Sequence, residues 1–137
     1  MLAVTIVPSV SNSITACDLL IAAACACALR AAESLKEKGV NAAVIDIHSI
    51  KPIDQELIVK FARSCGCMVT AEEHNIFGGL GSAIAEVVSE IYPVPIRRIG
   101  VNDTFGESGE AQELFEKYGL TPDKIAEAAL AVRSMKR

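Results

Sequence analysis

Residues 70–88 read TAEEHNIFGGLGSAIAEVV, from Thr70 to Val88. The stretch leaves a strand-like run, Cys67-Met-Val-Thr-Ala71, and crosses two acids, a histidine and three glycines. It then becomes an apolar-periodic segment from Gly81 to Ile91. A strand passing through a glycine turn into an amphipathic helix is half of a crossover unit, the connection that parallel strands require. The same alternation recurs on both sides of it.

Upstream, Ala42-Ala-Val-Ile-Asp46 reads as a strand that is apolar until its last residue, as expected of one covered on both faces. Asp54 is placed to N-cap a helix from Gln55 to Arg63, with Leu57, Ile58 and Phe61 as its buried stripe. Leu19–Ala22 is an earlier strand. It is followed by a helix from about Cys25 to Lys38 in which Leu29, Ala32 and Leu35 recur at helical spacing and Gly39 is the C′ residue. Leu2–Val7, ended by Pro8, reads as an edge strand. Downstream, Pro95–Ile99 is a strand interrupted by charge, suited to an edge. Two helices finish the chain, Ala111–Tyr118 and Pro122 to about Arg133; Thr121 before Pro122 is an N-cap followed by proline at the first helical position. Short connections between alternating strands and helices predict an α/β fold with three α/β/α layers around a mostly parallel sheet. Residues 1–137 are expected to form one domain.

Composition narrows the function. Half the residues are apolar but only 4% are aromatic, so Ala, Val, Ile and Leu fill the core. A net charge of −4 and a pI near 5.2 argue against nucleic acid or an anionic membrane as partner. The apolar run Leu19–Leu29 is too short to span a bilayer, and Asp18 precedes it in place of the basic flank of a signal peptide. Five cysteines, an odd number, are expected to be reduced thiols in a cytoplasmic protein. Cys25-Ala-Cys27 and Cys65-Gly-Cys67 sit in small apolar sequence without a neighbouring His, so they read as buried small side chains in preference to zinc ligands.

In a parallel sheet, ligands gather beyond the carboxyl ends of the strands. Ile47–Pro52, Glu72–Gly81 and Gly100–Gly109 are expected there, bringing His48, Lys51, Glu72, Glu73, His74, Asp103, Glu107 and Ser108 to one rim. A phosphate cradle would use consecutive amides at Gly78-Gly79-Leu80-Gly81-Ser82. The dinucleotide fingerprint fails, since Ile84 stands three residues beyond Gly81, and no Walker lysine follows. A tight turn that lets strand and helix pack closely is the preferred reading. Ser108, in Gly-Glu-Ser-Gly, is not in a nucleophile elbow, and His48 and His74 form no helical ligand pair. Histidine and carboxylates bonding across loops or to a neighbouring domain fit better than a catalytic triad or metal centre.

Three segments carry a resemblance: VIDIHSIKPID (Val44–Asp54), VTAEEHNIFGGLGSAIAEVV (Val69–Val88) and RIGVNDTFGESGEAQELFEKYGLT (Arg98–Thr121). In order and spacing they resemble the C-terminal domain of transketolase, over about residues 18–130. Related domains occur in deoxyxylulose-phosphate synthase and in the beta subunit of 2-oxoacid dehydrogenases; the HSIKPID and FGESG wording favours transketolase. The resemblance implies a five-stranded sheet whose first strand, Leu2–Val7, is antiparallel to the rest. It implies a non-catalytic C-terminal domain or split subunit of an enzyme that moves a two-carbon ketol unit between sugar phosphates. Thiamine diphosphate and a divalent metal would then belong to the assembled enzyme, held by other domains, with none bound by this chain. The expected partners are the catalytic transketolase domains or an N-terminal subunit, together with further copies of the chain in a homo-oligomer. The inter-domain or regulatory face would comprise His48, Lys51, Glu73, His74, Asn75, Gly78, Gly79, Gly81, Ser82, Asp103, Phe105 and Ser108. Residues 1–17 match loosely, Ala23–Cys27 replaces a turn where the family often has glycine, and the family's Gly-Asp-Gly diphosphate motif is missing. The alternatives are the corresponding domain of the two related enzymes, or a free-standing regulatory domain that holds a small anion at Gly78–Ser82.

Overall fold

The computed structural model describes residues 6–7, 17–23 and 27–136. Its strands are β1 (Ile6–Val7), β2 (Leu19–Ala23), β3 (Ala42–Asp46), β4 (Met68–Asn75) and β5 (Ile96–Val101). Its helices are α1 (Cys27–Glu37), α2 (Gln55–Cys65), α3 (Leu80–Ile91), α4 (Ala111–Tyr118) and α5 (Pro122–Arg133). The sheet order is β1-β3-β2-β4-β5, with β1 antiparallel to β3 and the other four strands parallel. The two segments expected at edges, the first strand and the charged fifth, are at the edges. Residues 2–5 of the expected first strand and residues 24–26 before α1 lie outside the described residues.

Local chemistry sets the helix ends. The Asp54 carboxylate accepts from the Leu57 amide at 3.0 Å, and Gly66 closes α2 in the left-handed region at φ 71°. Thr121 caps α5 ahead of Pro122. One helical layer, α1 with α5, packs Ala28, Ala31, Ala32, Leu35, Ile125 and Ala129 against Ile21, Val44 and Val69. The other, α2 with α3, packs Ile58, Phe61, Ile84 and Val88 against Ala22, Ile45 and Met68. Leu29 is a correction: it is 38% exposed, because the buried stripe of α1 runs through Ala28, Ala31, Ala32 and Leu35. Alanines on α1 and α5 let the two axes approach, and Leu29 stands about 100° around the helix from Ala28. Among the described residues no helix is long and apolar enough to cross a membrane.

Two further expectations change. Cys17 and Cys65 form a disulfide across 48 residues, with Cα atoms 5.0 Å apart, so the reading of all cysteines as free thiols fails for this pair. The bridge joins the entry to β2 with the end of α2, a pairing that distance along the chain conceals. Cys27 and Cys67 are free, and burial pushes the Cys67 thiol above its ordinary pKa. Second, β4 does not stop at Ala71. It continues to Asn75 through an irregularity in which Ala71 pairs with Ile99 and Asn75 with Val101. Three residues of β4, Glu72–His74, therefore oppose Gly100 alone, as a β-bulge. A Cβ on Gly100 would stand 2.7 Å from the His74 carbonyl oxygen and 3.0 Å from that of Glu72, so glycine is required there.

Candidate functional site

The bulge turns Glu72 inward. Only 5% exposed, its carboxylate accepts from the amides of Leu80 (2.7 Å) and Gly81 (2.9 Å), the first amides of α3. The positive end of the helix is thus neutralised by the chain's own acid. Glu72 is not on the rim with Glu73, which is exposed. The turn is tight for a related reason. A Cβ on Gly79 would collide with the Glu72 carboxylate and stand 2.8 Å from the Asn75 carbonyl oxygen; one on Gly81 would stand 2.7 Å from Thr70 Oγ1. Gly78 takes φ 78°, and its amide donates to Ser82 Oγ at 3.0 Å, which in turn donates to the Ile76 carbonyl at 3.0 Å.

Around this turn the rim is cross-braced. Asn75 Nδ2 donates to Asp103 Oδ1 at 3.0 Å, tying the end of β4 to the loop after β5, while Asn75 Oδ1 accepts from the Phe77 amide at 2.9 Å. Asp103 has φ 47°, a conformation in which asparagine and aspartate are enriched. Arg98 donates to the Ile76 carbonyl at 2.9 Å and to Ser82 Oγ at 3.3 Å, and its guanidinium lies 5.5 Å from the Phe77 ring centroid. Sequence reasoning missed both Arg98 and Glu72's inward role. The small residue at Gly81, opposite a cation on the neighbouring strand, was the signal that pointed to them.

The remaining residues singled out in the sequence are placed unequally. Glu73, Lys51 and Ser108 are exposed, and Ser108 has no hydrogen-bond partner among the described residues. His48 Nε2 lies 3.4 Å from Asp46 Oδ2. His74 Nδ1 is 3.2 Å from the carbonyl oxygen of its own neighbour, Asn75, so the cross-loop link is made by Asn75 and not by the imidazole. Glu107 pairs with Lys117, whose pKa this hydrogen bond raises above its ordinary value. Phe105 is 96% exposed and Phe77 60%. Phe77 in the turn and Phe105 in the loop after β5 are thus both exposed; no base reaches Ser108, and among the described residues no cluster of three metal-ligating side chains forms. A diphosphate is disfavoured at this turn, because the Glu72 carboxylate already accepts from the Leu80 and Gly81 amides and the Gly78 amide is given to Ser82 Oγ.

Residues 19–125 match the family described as transketolase, C-terminal domain, and the chain belongs to that family. It is 48% identical over 109 residues to the 6-deoxy-6-sulfo-D-fructose transketolase subunit of a Clostridium species, an alignment covering 80% of this chain and 34% of that protein. It is 46% identical over 103 residues to a subunit of the apulose-4-phosphate transketolase of Phocaeicola vulgatus, covering 75% and 33%. A 1-deoxy-D-xylulose-5-phosphate synthase of Heliobacterium modesticaldum is 44% identical over 100 residues, covering 72% of this chain and 16% of the synthase. Among solved structures, one described as "Split gene transketolase, inactive beta4 tetramer" superposes with a TM-score of 0.88 at 46% identity, covering 98% of this chain and 43% of that one. The chain spans about a third of the length of the two transketolase subunits.

Proposed function

We propose that this chain serves as the non-catalytic C-terminal domain, or part of a split subunit, of a transketolase, with residues 1–137 acting as one unit. Its rim docks on the domains that bind thiamine diphosphate and a divalent metal, and it helps hold them in an oligomer. The observation that carries this reading is the pairing of exposed Phe77 and Phe105 with a turn already braced by Glu72 and by Asn75–Asp103. A surface that is rigid beneath and apolar on top suits a preformed contact. His48, Lys51, Glu73, His74 and Ser108 would contribute its polar margin, and Gly78, Gly79, Gly81 and Ser82 its shape. The similarity to transketolase subunits supports the enzyme class. The reading places the assembly in the cytoplasm, where the Cys17–Cys65 bridge persists only if its reduction potential lies below that of the glutathione pool.

The test is reconstitution. The chain is mixed with a polypeptide supplying the remaining transketolase domains, thiamine diphosphate and magnesium. Ketol transfer is expected in the mixture and absent from the chain alone, and calorimetry of the chain with cofactor should show no saturable heat. Turnover or saturable cofactor binding by the isolated chain overturns the proposal. A second reading, as the matching domain of a 1-deoxy-D-xylulose-5-phosphate synthase, is favoured by the 44% identity to one. Formation of 1-deoxy-D-xylulose 5-phosphate by the mixture would select it.

A further inference from the structure

A groove of about 400 Å³ lies between β5 and α5; Arg98 and Gly100 of the edge strand border it, and Tyr118 and Gly119 of the α4–α5 turn also line it. This volume is within the range of small-molecule sites, roughly 300–1,000 Å³. Strand alternation sets its character. Arg98 points to the α3 side, where Ile76, Phe77 and Ser82 hold it; Arg97 and Ile99 therefore face α5. From α5 come Lys124, Glu127, Ala128 and Ala131, one stripe at helical spacing. Ile99, Ala128 and Ala131 give an apolar floor, and Asn102 and Tyr118 add neutral polar groups.

The charges do not balance. Lys124 and Glu127 pair at 2.7 Å, whereas Arg97 has neither a hydrogen-bond nor an ionic partner among the described residues. Three cations, Arg97, Arg98 and Lys124, line the groove against one carboxylate, Glu127. With the Arg98 guanidinium held by Ile76 and Ser82 and Lys124 paired with Glu127, Arg97 carries the uncompensated positive charge, in a chain whose net charge is −4. A guanidinium with five free donors suits a phosphate or carboxylate bidentately, and the Lys124 ammonium retains donors beyond the one given to Glu127. An unpaired fork beside an apolar floor, with a phenol and an amide nearby, is the chemistry of a phosphorylated carbon chain bearing hydroxyls.

We propose that this groove binds a small organic phosphate, its phosphoryl group on Arg97 and Lys124 and its carbon skeleton over Ile99, Ala128 and Ala131. The proposal rests on the groove alone and not on the docking role of the rim. It is tested by amide-resolved NMR titration of the chain with ribose 5-phosphate, inorganic phosphate and ribose, at low ionic strength. Saturable shifts are expected at Arg97, Gly100, Asn102, Gly119 and Lys124 with ribose 5-phosphate, weaker ones with inorganic phosphate, and none with ribose. Arg97→Gln and Lys124→Gln, both on the surface, should each weaken binding about fivefold, as loss of one exposed charge contact does. No saturable shift, shifts that survive the double variant, or equal affinity for inorganic phosphate and ribose 5-phosphate would overturn it. Because the readout is binding to the isolated chain, its failure is separate from any failure of reconstitution.

Discussion

The two ends of the parallel sheet are finished differently. At the amino end, Cys17–Cys65 ties the entry of β2 to α2, and Asp18 and Asn41 bond reciprocally: the Asp18 amide donates to the Asn41 carbonyl at 2.8 Å and the Asn41 amide to Asp18 Oδ2 at 2.9 Å. Arg133 approaches Asp18 Oδ1 at 3.8 Å, and the buried Cys67 thiol donates to the Asp18 carbonyl at 3.5 Å. At the carboxyl end, the turn before α3 is equally well bonded, but Phe77 within it and Phe105 in the loop after β5 stay exposed. One end is locked by the chain itself. The other is braced from below and left uncovered, which gives the domain a direction along which a partner can dock.

The largest effect expected breaks the locked end. A bridge closing 48 residues removes chain entropy from the unfolded state worth about 4 kcal/mol. Cys17→Ser with Cys65→Ser, or reduction of the native chain, should lower urea stability by that order while leaving assembly with the partner domains intact. A loss below about 1 kcal/mol would mean that the bridge does not hold this end. Next comes the brace of the open end. Glu72→Ala leaves two amides of α3 without their acceptor and should cost about 3 kcal/mol in the same measurement. Gly79→Ala should do comparable harm by driving the carboxylate off those amides. A stable Gly79→Ala variant with unshifted Leu80 and Gly81 amide resonances would contradict this geometry.

The uncovered residues should behave in the opposite way. Phe105→Ala is expected to leave the stability of the chain within about 0.5 kcal/mol. It should weaken reconstitution by about 2 kcal/mol, as truncating an interface aromatic does. Titrating the partner domains while following turnover separates the two. Loss of stability without loss of assembly would reverse the roles assigned to the two ends.

The alternation of strand and helix is legible because each element announces its own boundary: Asp54 before α2, Thr121-Pro122 before α5, and the charge of Arg97-Arg98 on an edge strand. What escapes depends on contacts across the chain. The bulge at Glu72–His74 arises from a register difference with Gly100, which no local pattern encodes. Glu72 and Glu73 look alike in sequence, yet the bulge sends one into the helix terminus and leaves the other in water. Cys65 reads as a reduced, buried thiol beside Cys67, although it is bonded to the distant Cys17. Leu29 has the right spacing for the core and the wrong face, because α1 meets α5 through alanines.

The smallest expected effect is at His74. Its imidazole is exposed, and its one contact, 3.2 Å from Nδ1 to the Asn75 carbonyl oxygen, is local. His74→Ala should therefore change the urea stability of the isolated chain by less than about 0.5 kcal/mol. Asn75→Ala removes both the link to Asp103 and the acceptor for the Phe77 amide, and should cost about 1 kcal/mol at a half-buried site. In the reconstituted enzyme the distinction sharpens. If His74 belongs to the docking margin, its loss weakens assembly by no more than one hydrogen bond, about 1 kcal/mol, and leaves turnover nearly intact once the complex is saturated. A general base in that position would instead slow the chemical step by roughly a hundredfold or more at full assembly. Turnover of the saturated His74→Ala complex separates these outcomes. A hundredfold fall with unchanged affinity would make the open end part of the reaction centre and not a surface that positions it.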